Sequence, residues 1–99
     1  MLNIDKNVDG KNLNICLTGR LDTTTAPDLE KVVKENLEGV ETLVFDFMNL
    51  EYVSSAGLRV LLGTQKTMNK QGNMIIRNAS DDVKEIFQVT GFSDILNIE

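Results

Sequence analysis

Two adjacent hydroxyls, Ser54 and Ser55, stand in the string Asn49-Leu50-Glu51-Tyr52-Val53-Ser54-Ser55-Ala56-Gly57-Leu58, between a strongly apolar run and a helical pattern. In an α/β fold such a place lies past the carboxyl end of a strand, where ligand sites gather. A serine at or next to a helix N-cap holds its hydroxyl near the surface, beside backbone N–H groups that have no intrahelical acceptor. The small pair Ala56-Gly57 keeps that surface open, and the setting suits an anion. A purely structural reading stands beside this one. Ser55 then caps the helix, a contribution of about 1 kcal/mol, and Gly57 lets two backbones come close.

Most other site chemistry is missing from the composition. There is no His and a single Cys, Cys16, which excludes a Cys/His metal site, a histidine base, a Ser-His-Asp or Cys-His nucleophile pair, a phosphohistidine and an internal disulfide. Neither G-x-x-x-x-G-K-[ST] nor G-x-G-x-x-G occurs, which weakens a nucleotide-binding or phosphotransfer enzyme built on the same helix start. No cofactor and no catalytic residue is expected. With 10 basic against 15 acidic residues the net charge is -5, so phosphate attraction would need a local basic patch. Arg59, Lys66 and Lys70 are the nearest approach to one and read as a solvated helix face, so nucleic acid is not an expected partner. The N-terminus MLNIDKNVDG lacks a basic segment followed by an apolar one, and no apolar run approaches bilayer length. The chain therefore reads as cytoplasmic, without membrane insertion.

The elements that must position the serines follow from periodicity. Ninety-nine residues, 41% hydrophobic and 25% charged, fit one domain over residues 1–99. Residues 2–8 and 12–19 alternate around Asp9-Gly10-Lys11-Asn12 and predict an antiparallel hairpin. Leu13, Ile15 and Leu17 share one face of the second strand; Asn14, Cys16 and Thr18 share the other, with Cys16 read as a small packed residue. Thr25 reads as an N-cap, Pro27 and Asp28 as first-turn residues, and Leu29, Val32, Val33 and Leu37 as the apolar stripe of a helix closed at Gly39. Residues 42–47 predict a central strand buried on both faces. Its Asp46 reads as a structural cap for a nearby loop N–H.

A second helix spans 56–71, with Leu58, Leu61, Leu62 and Met68 inward and Gly72 as its C-cap. Residues 73–78 predict another parallel strand. Ser80 then caps a helix that buries Val83, Ile86 and Phe87 and ends at Gly91-Phe92. The tail 95–99 adds a last turn or strand, and Met48, Met68 and Met74 read as core fillers. The ββαβαβα order implies an α/β fold: a mostly parallel sheet of four to five strands, an antiparallel N-terminal strand, and three to four covering helices.

Three blocks of this chain resemble one family. Gly19-Arg20-Leu21-Asp22 with Thr25-Ala26-Pro27-Asp28-Leu29 is similar to a G-x-L-D…T-A-P-x-L block. Val44-Phe45-Asp46-Phe47 followed by Val53-Ser54-Ser55-Ala56-Gly57-Leu58 is similar to a D-L-x…D/S-S-x-G-L block, and residues 83–92 to a closing V-x-x-x-L-x-x-T-G-L helix. Together, in order and over nearly all of the chain, they resemble bacterial STAS domains of the anti-sigma factor antagonist type.

The resemblance implies a regulatory ligand rather than a catalyst. A partner anti-sigma factor that is itself a serine kinase phosphorylates the serine matching Ser55; the unmodified form binds that kinase and frees a sigma factor, and a PP2C-type phosphatase restores it. Many members carry Asp where this chain has Ser54, which makes Ser54 an alternative acceptor. The implied contact surface comprises Asp22, Thr23 and Thr24, the segment Tyr52, Val53, Ser54, Ser55, Ala56 and Gly57, and the outer face of the second helix, with Arg59 and Gln65 toward the partner. Thr23 and Thr24 serve equally as turn residues. The alternative within the family is a scaffold or regulatory subunit of a signalling or transport assembly that has no phospho-switch.

Overall fold

Parallel strands that step across a sheet in one direction place every right-handed crossover on the same side. That rule accounts for the computed structural model, which describes residues 2–99. Its elements are β1 (Leu2–Asp9), β2 (Asn12–Leu21), α1 (Ala26–Asn36), β3 (Thr42–Val53), α2 (Ser55–Asn69), β4 (Asn73–Arg77) and α3 (Asp81–Val89), followed by a 3-10 turn, Phe92–Asp94. The sheet order is β1-β2-β3-β4, with β1 antiparallel to β2 and the remaining pairs parallel. The order never reverses, so the helices form a single layer.

The register shows which face they cover. Leu13, Leu43 and Met74 lie side by side across three strands, as do Ile15, Phe45 and Ile76, and all six are buried. Leu29, Val33, Leu61, Met68, Val83 and Phe87 from the helices join them in one apolar core. Phe47 bridges its aromatic centre, 5.8 Å from the Phe45 ring and 6.4 Å from the Phe87 ring. The opposite face carries Asn14, Cys16, Val44, Asp46 and Ile75, all exposed or half-buried.

This corrects two expectations. The central strand is buried on one face only, because Val44 makes an alternating pattern look continuously apolar. Cys16 is exposed on the open face; partial desolvation, with Asp46 and Asp5 adding, pushes its thiol pKa up.

The middle of β3 holds a third correction. Cys16 pairs with Asp46 and Thr18 with Asn49, so β3 has one residue more than β2 over this stretch, a bulge that breaks the alternation. Met48 is displaced outward there, 65% exposed, while Met68 and Met74 fill the core as expected. Asp46 caps the bulge as anticipated: its Oδ1 accepts from Met48 N–H at 3.0 Å and from Asn78 Nδ2 at 3.1 Å.

Gly72 is not a left-handed cap. A Cβ on it would collide with the Glu41 carbonyl oxygen, so the glycine permits the close crossing between the end of α2 and the start of β3. The tail adds a single parallel bridge, Ile76 to Ile98, flanked by Ile76 N–H donating to the Asn97 carbonyl and Glu99 N–H to the Ile76 carbonyl, both at 2.9 Å.

Candidate functional site

The start of α2 sorts the two serines. Ser54 is the N-cap, with extended backbone (φ -87°, ψ 174°), and its Oγ accepts from Gly57 N–H at 3.2 Å. Its own N–H donates to the Leu21 carbonyl at 2.8 Å, and only 9% of the residue is exposed. Ser55 is the first helical residue and lies in solvent. The capping role read for Ser55 thus belongs to its neighbour, and Ser55 is left with a free-standing hydroxyl at the positive end of a 15-residue helix. No acidic side chain occupies the first turn of α2.

The end of β2 supplies the second part of the site. A Cβ on Gly57 would lie 2.7 Å from Leu21 Cγ and 3.1 Å from the Leu21 carbonyl oxygen, so only glycine lets α2 begin this close to the strand end. The turn after Leu21 folds around one carboxylate oxygen. Asp22 Oδ1 accepts from Thr24 N–H at 3.0 Å, Thr24 Oγ1 at 2.7 Å, Thr25 N–H at 3.1 Å and Thr25 Oγ1 at 3.2 Å. These bonds, that of the Thr24 hydroxyl foremost, together outweigh an opposing desolvation and hold the Asp22 carboxyl below its ordinary pKa. Thr25 precedes α1 as expected but makes no side-chain cap. Its hydroxyl instead accepts from Asp22 N–H at 2.8 Å, and its one proton is shared between the Arg20 carbonyl at 2.9 Å and Asp22 Oδ1.

Of the residues anticipated at the surface, Thr23, Thr24, Ser55 and Arg59 are exposed and Asp22, Tyr52 and Ala56 are half-buried. Tyr52 carries the Arg20 guanidinium over its ring, 4.5 Å from the centroid. Val53, Ser54 and Gly57 are buried and shape the surface from beneath. Gln65 is 7% exposed, which overturns its placement on the outer face of the helix.

Thr23, Ala56 and Arg59 line a shallow cavity of about 190 Å³. Arg59, Glu30 and Val60 are shared with a second cavity, of about 300 Å³, between α1 and α2, whose lining includes Val33, Leu37 and Gly63. Glu30 pairs with Lys34 at 3.7 Å, and Arg59 stands outside the ion pairs of the described residues. This groove was missed in the sequence, although a signal was present. A glycine inside a helix costs about 1 kcal/mol relative to alanine. No packing demands it at Gly63, where a Cβ would meet nothing within 4 Å.

Among the described residues no group of three or more His, Cys, Asp or Glu side chains could hold a metal, and no helix is long and apolar enough to cross a membrane.

Comparison with known proteins places this geometry. The STAS domain family model matches residues 3–99. The anti-sigma-B factor antagonist of Staphylococcus aureus is 29% identical over 98% of this chain and 92% of its own length. BtrV of Bordetella bronchiseptica is 34% identical over 98% of this chain and 84% of its own. The anti-sigma factor antagonist SpoIIAA of Bacillus shares the fold at 20% identity. Its unphosphorylated form superposes with a TM-score of 0.76, covering 100% of this chain and 87% of that one, and its phosphorylated form with 0.74, covering 100% and 91%. The chain belongs to the STAS domain family, among the anti-sigma factor antagonists.

Proposed function

We propose that this protein is a phosphorylation-gated antagonist of an anti-sigma factor, with Ser55 as the switch. The observation that carries the reading is the division of labour at the start of α2: Ser54 is buried and engaged in capping, while Ser55 is exposed with no acidic neighbour in the first turn. In the unmodified state the turn Asp22-Thr23-Thr24, Ser55 and Arg59 meet the partner, and the buried Val53, Ser54 and Gly57 hold that surface in shape. The partner is an anti-sigma factor with serine kinase activity, and its capture frees a sigma factor. A PP2C-type serine phosphatase resets the protein. The chain acts as ligand and substrate rather than as catalyst.

Electrostatics accounts for both halves of the switch. A phosphoryl group on Ser55 adds about -1.5 to -2 charges and three acceptor oxygens at a helix N-terminus, where the host fold tolerates it. The docked partner does not, because it closes over a neutral hydroxyl and now has to desolvate a dianion. The cost is a few kcal/mol, at least about a hundredfold in affinity. That SpoIIAA keeps one fold in both forms supports a switch that acts at the interface rather than by refolding.

Calorimetry with the serine-kinase anti-sigma factor encoded in the same genome tests the proposal. Ser55→Ala binds like the native chain and Ser55→Asp weakens binding strongly. Equal binding by the two variants refutes gating at Ser55 and leaves an unswitched scaffold.

A further inference from the structure

Building on Ser55 as the modified residue, we infer that Arg59 is the internal receptor of its phosphoryl group. The guanidinium that faces the partner in the unmodified chain turns back along α2 and closes on the phosphate once it is there. One modification then does two things at the docking surface: it installs an anion and it withdraws a cation.

The spacing provides the pair. Ser55 is the first residue of α2 and Arg59 lies four residues further on, so their Cβ atoms are neighbours on the helix surface, about 5 to 6 Å apart. Both residues are exposed. Helical side chains lean toward the N-terminus of their helix, which carries the long side chain at position 59 back over the turn that begins with Ser55. An anion four residues N-terminal to a cation is also the favoured order of such a pair. The phosphoserine side chain is short, so arginine supplies the reach, and its planar fork engages two phosphate oxygens at once.

Little competes for Arg59. The α2 sequence SAGLRVLLGTQKTMN contains no Asp or Glu. Across the groove α1 presents Glu30 and Lys34, which pair with each other at 3.7 Å. Asp22, in the turn after β2, directs its hydrogen bonds to Thr24 and Thr25. Arg20, a rival cation near the end of β2, is held over the Tyr52 ring. Arg59 itself stands in none of the ion pairs of the described residues, so its turn toward a phosphate breaks none. Small residues beside it, Ala56 and Gly63, line the cavities that it borders and leave the guanidinium room to move.

The test installs phosphoserine at position 55 during translation of the full chain and titrates the phosphate by phosphorus-31 NMR. A phosphoserine loses its second proton at about pH 6. With Arg59 present the midpoint lies at least about 0.3 pH unit below that of the Arg59→Gln chain, about a twofold change in the dissociation constant, because the guanidinium favours the dianion. The N–H groups at the start of α2 act equally in both chains. Arg59→Lys keeps part of the shift, and the Arg59 Nε–H resonance moves with the same midpoint as the phosphorus signal, a response that a merely structural arginine would not give. Lys66→Gln, which removes a cation from the same helix about three turns from Ser55, leaves the midpoint in place and controls for net charge.

A smaller difference between the native and Arg59→Gln chains overturns the inference, as does a Lys66→Gln shift as large as that of Arg59→Gln. Because the phosphoserine is installed without a kinase, these outcomes stay separate from those of the partner-binding test of Ser55.

Discussion

The starts of α2 and α3 share a cap and differ in charge. Each has a serine N-cap in extended conformation, Ser54 and Ser80, accepting from the backbone N–H three residues on at 3.2 Å. After that hydrogen bond they diverge. The first turn of α3 carries Asp81 and Asp82, which answer the positive end of the helix, while that of α2 carries no acid. Asp22, in the turn after β2, directs its hydrogen bonds to Thr24 and Thr25 rather than to the first N–H groups of α2. A cap by itself therefore marks only a helix start. A cap followed by an exposed hydroxyl and an uncompensated helix end marks a place that can receive a phosphoryl group.

The largest effect that sharpens this comparison is loss of the caps. Ser54→Ala and Ser80→Ala each lower stability by about 1 kcal/mol in urea unfolding, because their geometries match. Ser55→Ala stays within about 0.5 kcal/mol. A Ser55→Ala loss equal to that of Ser54→Ala would return the capping role to Ser55 and erase the division of labour.

Charge exchange comes next. Asp81→Asn or Asp82→Asn removes about 0.3 to 1 kcal/mol, and Ser55→Asp adds a similar amount to folding stability while destroying partner binding. Stability and binding thus move in opposite directions at Ser55. A Ser55→Asp protein that unfolds more readily would break the comparison.

The smallest effect is the pH dependence of the Asp22 turn. The folded state holds this carboxyl below its ordinary 3.8, so its contribution to stability is fully present above about pH 4 and is lost as the pH falls through the lower folded value. Asp22→Asn flattens the acid limb of the stability profile in that window. An unchanged limb would show that the turn's hydrogen bonds do not favour the charged form.

The order of elements was legible from periodicity because strand and helix patterns alternate cleanly from Asn12 to Val89. The single helical layer was less so. It depends on a strand order that never reverses, a property of pairing between distant segments, and Val44 disguised the one-sided burial locally. The serines were resolved to within one residue, which is the ordinary uncertainty of a helix boundary; only the Ser54–Gly57 hydrogen bond assigns the cap. Gln65 was readable and was misread. With Leu58, Leu61 and Met68 it falls on one helical stripe that the fold buries, and its polarity hid that position. The groove between α1 and α2 was written in Gly63, whose meaning appears only once the neighbouring helix is in place.

The central claim is that Ser55, rather than Ser54, takes the phosphoryl group. Incubation of the full chain with the proposed serine-kinase anti-sigma factor and MgATP, followed by fragmentation mass spectrometry, tests it most directly. A single phosphate on Ser55, unaffected when Ser54 is replaced by alanine, is the predicted result; a phosphate on Ser54, or none on either serine, would contradict it.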